Sequence, residues 1–254
     1  MTSTLALIAP ALAVGSWFYG PLEDAFIEHG WDVEVLPRRG FEAHQPKAKP
    51  GHDWSYADEA QVIVDAIARA RVEDPTRQIV IVGHSLGGQL GAAVQLGDQP
   101  ADGLVAIGTA LPHYRLYGFR AIGLLAMALA VRPAAQIAGY LHKPFFGAPG
   151  PKTMMTEWAE MIITGEMPYD LSEKIARPAL SIHLEGDSFS VYHAVREFEV
   201  KNFEADSLTR WTYRKDAVPE GGNTHHVQWV RKPEPVVEFI VNWWSAQNAD
   251  LAEG

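Results

Sequence analysis

The 254-residue sequence contains no cysteine. This excludes disulfide scaffolds, thiolate metal sites and cysteine nucleophiles, but it says little about compartment, because a chain without thiols survives either redox state. Basic residues are also scarce: 21 Lys and Arg stand against 31 Asp and Glu, which gives a net charge of −10. That charge has the wrong sign for holding a phosphate backbone, so nucleic acid is not expected as a partner.

Long hydrophobic runs are also missing. A membrane-spanning helix needs about 20 apolar residues, whereas the run at 121–131 has eleven, so no membrane span is predicted. A second run, at 5–14, lacks the basic start of a signal peptide and is interrupted by Pro10. We interpret that run as a first strand leading into a functional loop, and a cytoplasmic location is therefore the expectation.

The hydrophobic residues that are present, 47% of the chain, are enough for a full-sized core. The length is long for one domain and short for two, so it does not choose between these organisations. Apolar strand patterns alternate with helical ones along the chain, which predicts an α/β fold with a mostly parallel open sheet and helices on both faces. The predicted strands are residues 5–8, 31–36, 79–82, 104–107, 180–184 and 209–213.

The helical patterns carry recognisable starts and stops. The first places Leu22, Phe26 and Ile27 on one face and ends at Gly30. Asp53 or Ser55 is suited to cap the second. Residues 112–177 show no clear strand, and we interpret them as a helical lid inserted into a catalytic core made of residues 1–111 and 178–254.

The strongest chemical signal is the sequence GHSLGG at 83–88, directly after the most β-branched strand and before a helical pattern. It matches G-x-S-x-G, in which a strand turns into a helix within one residue and holds the serine above the sheet. Side chains at 83 and 87 would collide with the neighbouring helix and strand, so glycine is expected at both. Ser85 is therefore the predicted nucleophile, and the amide of Leu86 is directed toward the same space.

A serine nucleophile needs a base, and the base needs a carboxylate to orient it. Asp187 lies just past the strand at 180–184, with Glu185 as the reserve candidate. His225 and His226 stand before the last helix, and two adjacent side chains cannot both point into one site.

These features resemble the α/β-hydrolase family over most of the chain outside the lid. In that family the catalytic His is followed seven positions later by a Pro that opens the final helix, and His226 and Pro233 have this spacing. The resemblance thus selects His226, and by position it makes the amide of Leu12 the second oxyanion donor. Arg39 falls at the family's usual Arg-Gly turn and is interpreted as structural. The ending HVQWVR at 226–231 resembles a little-characterised bacterial branch of lidded hydrolases.

The remaining histidines show no paired ligand spacing, and no nucleotide-binding motif is present, so neither a metal nor a cofactor is predicted. His84 adjoins the nucleophile and is assigned to the substrate pocket. His113 and Tyr114 follow the fourth strand into the lid and are candidates for substrate contact, with simple packing as the alternative.

The charge of the lid region differs from that of the rest of the chain. Residues 103–156 contain no Asp or Glu, and five cations give them a charge of +5 against −15 elsewhere. The cations are Arg115, Arg120, Arg132, Lys143 and Lys152; aromatic residues, including Phe145 and Phe146, lie among them. One interpretation is a solvated basic face above an apolar one. The others are binding of a hydrophobic, anion-bearing acyl group, or a homodimer contact through the lid.

The combined expectation is a serine hydrolase that cleaves an ester or related acyl bond of a small, largely apolar substrate. Ser85, His226 and Asp187 would form the triad, and the amides of Leu12 and Leu86 would hold the oxyanion. Lactonase, thioesterase, amidase, C–C hydrolase and acyltransferase chemistry use the same residues and stay open. The alternative of a different class is a non-catalytic protein that binds a small ligand on the same fold.

Overall fold

A central parallel sheet organises the computed structural model, which describes residues 3–142 and 148–253. Six strands lie in the order β2-β1-β3-β4-β7-β8, and every neighbouring pair is parallel. In chain order the strands are β1 (Thr4–Ala9), β2 (Asp32–Val35), β3 (Gln78–His84), β4 (Gly103–Ile107), β5 (Tyr140–Leu141), β6 (Gly150–Pro151), β7 (Ala179–Leu184) and β8 (Leu208–Tyr213). All six predicted strands are present, and the predicted α/β class is confirmed.

Helices cover both faces of this sheet. They are α1 (Gly20–Glu28), α2 (Tyr56–Glu73), α3 (Leu86–Gln95), α4 (Ala121–Ala138), α5 (Lys152–Thr164), α6 (Tyr192–Asn202) and α7 (Glu234–Glu253). Short 3₁₀ helices occupy Ser16–Tyr19, Tyr114–Arg120, Lys215–Ala217 and Gln228–Arg231.

Successive residues of β1 enter two different cores, as the alternation of a strand requires. Leu7 packs with residues of α2 and α3, such as Ile63 and Leu90. Ile8 packs on the other face with residues of α1 and α7, such as Phe26 and Ile240. Because both faces of the central strands are buried, their sequences are continuous apolar runs.

The helix boundaries follow the signals predicted from the sequence, and one predicted buried residue differs. Ser55 caps α2 in a capping box with Asp58, whereas Asp53 accepts a hydrogen bond from the Thr153 hydroxyl. Gly30 has the positive φ of a helix stop, at 78°. The prediction that Ile27 lies on the buried face of α1 is wrong, because its side chain is exposed while Phe26 is fully buried.

The segment between β4 and β7 contains two short strands in addition to helices. The predicted absence of strands at 112–177 is wrong, because β5 and β6 pair as a short antiparallel ribbon. Around this ribbon, α4 packs on α5 through a small core that includes Ala128, Val131 and Ala159. Lys143, Phe145 and Phe146 of the predicted lid lie outside the described residues. The proposed boundaries of core and lid stay a prediction.

One helical stretch is longer than the sequence reasoning allowed. The 3₁₀ helix Tyr114–Arg120, which is kinked at Gly118 with φ 55° and ψ −125°, leads into α4. By length and composition alone, the 25 residues Tyr114–Ala138 are long and apolar enough to cross a membrane. The prediction from the sequence considered only the uninterrupted apolar run at 121–131. Its argument that this segment is too short to span a membrane is therefore wrong. Ala128, Val131 and Ala135 on the inner side of α4 are buried within the protein.

Candidate active site

The turn at Ser85 joins the central strand to a helix in one residue. β3 ends at His84 and α3 begins at Leu86, so Ser85 alone makes the change of direction. Its backbone has φ 54° and ψ −113°, a conformation that L-amino acids rarely adopt. Such a residue costs about 1–3 kcal/mol and persists only where the surrounding structure enforces it.

Glycines on either side of Ser85 make this turn sterically feasible. A Cβ atom at Gly87 would lie 1.9 Å from the carbonyl oxygen of Ala9 at the end of β1. A Cβ at Gly83 would lie 2.5 Å from the Cα of Gly88 in α3. The collisions are with backbone, which cannot give way, so both positions require glycine for the reason predicted from the sequence.

Three side chains from distant parts of the chain meet at this turn. The Oγ of Ser85 lies 2.9 Å from Nε2 of His226, and Nδ1 of His226 lies 2.6 Å from Oδ2 of Asp187. The structure thus brings together the three residues proposed as a triad. His225 is exposed and points away, as expected for the neighbour of a residue that enters the site.

Asp187 is buried, and its hydrogen bonds keep it charged. Burial alone would raise the pKa of its carboxyl, but hydrogen bonds from His226, the Ser190 hydroxyl and the Phe189 amide outweigh burial and lower the pKa below its usual value. Glu185, the reserve candidate, instead accepts a hydrogen bond from the amide of Lys215 at 2.7 Å. Asp187 is therefore an ionised orienting group at neutral pH.

The two proposed oxyanion donors lie in different local structures, a helix N-terminus and a loop. Leu86 provides its amide at the N-terminus of α3, where backbone N–H groups have no acceptor within the helix. Leu12 lies in the loop after β1, beside Ala13, whose φ of 65° is also positive. In the part of the chain that the structure describes, neither amide has a hydrogen-bond acceptor. Both are free to donate to a ligand.

Buried polar contacts fix the loop that carries Leu12. The amide of Ala11 donates to Oη of Tyr19 at 2.8 Å, and the guanidinium of Arg38 donates to the carbonyl of Pro10. Arg38 itself is held by Glu59, 2.6 Å away, and both side chains are almost fully buried. Arg38 is thus the buried arginine that supports this loop. Arg39, which was interpreted as structural from the sequence, lies at the surface and donates a hydrogen bond to the Asp58 carbonyl.

His84 occupies a buried position behind the nucleophile. Its Nε2 lies 2.7 Å from the carbonyl oxygen of His226, a contact that requires Nε2 to carry the proton. Nδ1 is then an acceptor, and the Tyr19 hydroxyl donates to it at 2.8 Å. The predicted substrate contact of His84 does not fit this burial, because both ring nitrogens are already engaged.

This arrangement keeps His84 neutral. Burial, and then the neighbouring His226, lower the pKa of His84 from its ordinary value to about 3. A single chain of hydrogen bonds therefore runs from the Ala11 amide through Tyr19 and His84 to the backbone of His226. The oxyanion loop and the candidate base are positioned by one network, which sequence reasoning missed because Tyr19 carries no motif.

His113 and Tyr114 are not brought to Ser85. Their rings pack 5.0 Å apart, His113 borders Gly165 at the end of α5, and the Tyr114 hydroxyl accepts a hydrogen bond from Arg115. None of the contacts found for this pair within the described residues reaches the Ser85, His226 and Asp187 group.

Two aromatic residues that the sequence reasoning did not select lie closer to the site. The ring of Phe189 stacks on His226 at 5.2 Å, and the hydroxyl of Tyr117 donates to the Phe189 carbonyl at 2.7 Å. Burial, and then the nearby carboxylate of Asp187, raise the pKa of Tyr117 well above its usual value. The sequence signal that could have identified Phe189 as a residue of the site is its position two residues after the candidate acid.

Metal binding finds no support in the geometry. Across residues 3–142 and 148–253, no three His, Asp or Glu side chains form a group that could hold a metal ion. The geometry of Ser85, His226 and Asp187 fits proton transfer and nucleophilic attack by the Ser85 hydroxyl.

Comparison with known proteins identifies one matching family model and a set of solved structures with a similar fold. Residues 7–248 match the model described as "Alpha/beta hydrolase family". No curated protein sequence matches the chain. Similar solved structures include a monoacylglycerol lipase from Paleococcus ferrophilus, with 17% identity, TM-score 0.62 and coverage of 95% of this chain and 97% of that one.

Two further structures agree in fold. An esterase from Exiguobacterium antarcticum has 13% identity and TM-score 0.61, with 95% and 92% of the two chains covered. A structure reported for the metagenome-derived lipolytic enzymes LipS and LipT has 15% identity and TM-score 0.66, with 95% and 93% covered.

The strained backbone at Ser85 predicts that glycine stabilises this position relative to alanine, the reverse of its usual effect. Ser85→Gly and Ser85→Ala both remove the hydroxyl, but only glycine adopts φ 54° freely. We expect Ser85→Gly to be more stable than Ser85→Ala by about 1 kcal/mol or more in urea denaturation. The matched step Ala60→Gly within α2 should instead cost about 1 kcal/mol. Equal or lower stability of Ser85→Gly would contradict enforced strain at this turn.

The buried network predicts a cost for removing one hydroxyl. Tyr19→Phe leaves the Ala11 amide and Nδ1 of His84 without their partner, and the free energy of unfolding should fall by about 1–3 kcal/mol. Tyr213→Phe is the matched control, because its buried hydroxyl has no partner among the described residues, and it should change stability little. Thermal or urea unfolding of both variants measures the difference, and equal costs would disprove the network's contribution.

Proposed function

Because the chain belongs to the alpha/beta hydrolase family, we propose that it is a serine hydrolase that cleaves an ester or related acyl bond through an acyl-enzyme. The observation that carries the proposal is the unbroken chain of contacts from Ser85 through His226 to Asp187, at 2.9 Å and 2.6 Å, on a strained turn. Family membership by itself supports hydrolase chemistry, and the proposal adds the nucleophile and the bond.

The first half of the proposed reaction forms the acyl-enzyme. Oγ of Ser85 attacks the substrate carbonyl carbon while Nε2 of His226 accepts its proton. Asp187, hydrogen-bonded to Nδ1, holds the imidazole in the required tautomer and stabilises the imidazolium. The negative charge that develops on the carbonyl oxygen accepts hydrogen bonds from the amides of Leu86 and Leu12. Collapse of this intermediate expels the alcohol, which takes its proton from His226.

The second half regenerates the enzyme. A water molecule gives a proton to His226 and attacks the acyl carbon, and the same two amides hold the second oxyanion. The carboxylic acid leaves as Oγ of Ser85 recovers the proton from His226.

The proposed substrate is small and largely apolar. Phe189 and Tyr117 border the triad with aromatic surface. Residues 112–177, which join β4 to β7, would act as a lid over the acyl group. Three similar structures bear the names esterase, lipase or lipolytic enzyme, which favours an ester over a thioester, a lactone, a C–C bond or acyl transfer.

A non-catalytic binding protein on the same fold is the competing function. A binder has no need for a serine held in an unfavourable backbone conformation within hydrogen-bonding distance of a histidine. The paired Ser85 and His226, with an ionised Asp187 behind them, therefore favour the enzyme.

Labelling with a fluorophosphonate tests the proposal. Wild type should react at Ser85, whereas Ser85→Ala should not react and His226→Ala should react at least ~10³-fold more slowly because Oγ keeps its proton. His225→Ala, the adjacent exposed histidine, is the matched control and should label like wild type. Absence of labelling in folded wild type would favour the binder.

The role of the acid is tested by the rate of ester hydrolysis, with a paired control. Asp187→Asn should slow ester hydrolysis by roughly 10³–10⁴-fold, because the wrong tautomer of His226 is then favoured. Glu185→Gln removes a nearby carboxylate that does not contact His226 and should leave the rate almost unchanged. Equal losses in the two variants would contradict the assignment of Asp187.

A further inference from the structure

The outer side of α4 carries an unusual apolar surface. Five exposed residues, spaced three or four positions apart, form what we call the α4 outer stripe: Ile122, Ala126, Leu129, Pro133 and Ile137. At this spacing they share one face of the helix. Ile122 and Ile137 are 82% and 89% exposed, and Phe119, just before the helix, is 92% exposed.

The opposite side of α4 already has its partner within the protein. Ala128, Val131 and Ala135 are buried against α5. A helix that supports a globular core shows apolar residues inward and polar residues outward, and one that is apolar on both sides has a second surface to cover. The five residues of the α4 outer stripe are all apolar, with the exposed Arg132 and Gln136 along one flank, and this composition is that of a contact surface.

The charges beside the stripe are positive. Arg115 and Arg120 are exposed, and their guanidinium groups each lie 5.6 Å from the centre of a neighbouring aromatic ring, that of Tyr114 or Phe119. Neither has a carboxylate partner among the described residues. Arg132, on the flank of α4, is paired with Glu160 at 3.2 Å.

These charges discriminate between partners. A symmetric contact through this face would set it against the same face of a second copy, which offers the arginines no carboxylate from residues 103–156. An anionic lipid surface, by contrast, complements exposed arginines beside an apolar stripe. Two carboxylates from other elements lie nearby, Glu160 paired with Arg132 and Glu197 in the pocket that Arg115 also lines, but neither forms an ion pair with Arg115 or Arg120.

The stripe begins next to the candidate active site. Arg120 donates to the carbonyl of Ser188 at 3.2 Å, and Tyr117 donates to that of Phe189. Phe189 is itself exposed and stacks on His226. A surface bound to the stripe therefore lies beside the loop that carries Asp187.

We propose that the α4 outer stripe docks the protein on an anionic lipid bilayer, with α4 lying in the plane of the interface. Its apolar side chains enter the boundary between headgroups and acyl chains, while Arg115 and Arg120 contact the anionic headgroups. The helix does not span the bilayer in this arrangement, because its inner side keeps its contact with α5. This surface role goes beyond the proposed hydrolysis and is independent of Ser85.

Vesicle flotation tests the docking. The full chain should float with phosphatidylcholine vesicles that contain phosphatidylglycerol, and far less with phosphatidylcholine alone. The double variant Ile122→Glu/Ile137→Glu should bind at least ~10-fold more weakly, since it replaces two large apolar side chains with anions. Val72→Glu is the matched control, because Val72 is 83% exposed on α2, and it should bind like wild type.

The arginines are tested by a second matched pair. Arg115→Gln/Arg120→Gln should weaken binding to the anionic vesicles roughly tenfold and reduce its dependence on salt. Lys174→Gln/Arg177→Gln removes two exposed cations just before the N-terminal end of β7, whereas Arg115 and Arg120 follow the C-terminal end of the parallel strand β4, and it should have little effect.

Three results would overturn the docking. They are equal flotation of wild type and the stripe variant, equal flotation with neutral and anionic vesicles, and a dimer in sedimentation that the stripe variant dissociates while no vesicles are bound. Ser85→Ala should float like wild type, and the stripe variant, whose two changed side chains are exposed, should still be labelled at Ser85 by the fluorophosphonate. A failure of docking is thereby distinguished from a failure of the proposed hydrolase function.

Discussion

The change of direction at Ser85 is the constraint on which the site depends. A strand buried on both faces ends directly where α3 begins, and the connection has room for only one residue with a positive φ. Packing on either side enforces it, because β1 and α3 approach closely enough to exclude a Cβ at Gly83 and Gly87. The sheet thus holds the hydroxyl of Ser85 in place through backbone contacts, and the candidate base and acid reach it from loops after β8 and β7.

A second constraint couples the parts of the site that lie on separate loops. The loop after β1 is tied to Tyr19, Tyr19 to His84, and His84 to the backbone of His226. A shift of the candidate base would therefore disturb the loop that carries Leu12. The low pKa of His84 has a consequence here, since a neutral ring at this position adds no positive charge beside His226 when that residue accepts a proton.

Patterns with a local physical cause were readable from the sequence. The central strands were found because a buried parallel strand is continuously apolar, and the edge strand at 209–213 was found from its alternating pattern. The turn at Ser85 was found because steric exclusion leaves glycines at fixed spacing. The choice of Asp187 depended on its place after a particular strand, whereas His226 was selected over His225 by the spacing to Pro233 that the resemblance to the family supplied. The misses concern contacts between distant residues: the exposure of Ile27, the ribbon of β5 and β6, and the burial of His84. The length of the helical stretch at Tyr114–Ala138 was missed because Arg120 and Arg132 bound the apolar run at 121–131, whereas α4 continues through Arg132 to Ala138.

The central claim is that Ser85 carries the acyl group during turnover. The most direct measurement is acid quenching of wild type during hydrolysis of a slowly deacylating ester, followed by intact-mass analysis and peptide mapping. The account predicts a mass increase equal to the acyl group, located on the peptide that contains Ser85 and absent from Ser85→Ala. Ester hydrolysis without any covalent adduct, or an adduct on another residue, would contradict it.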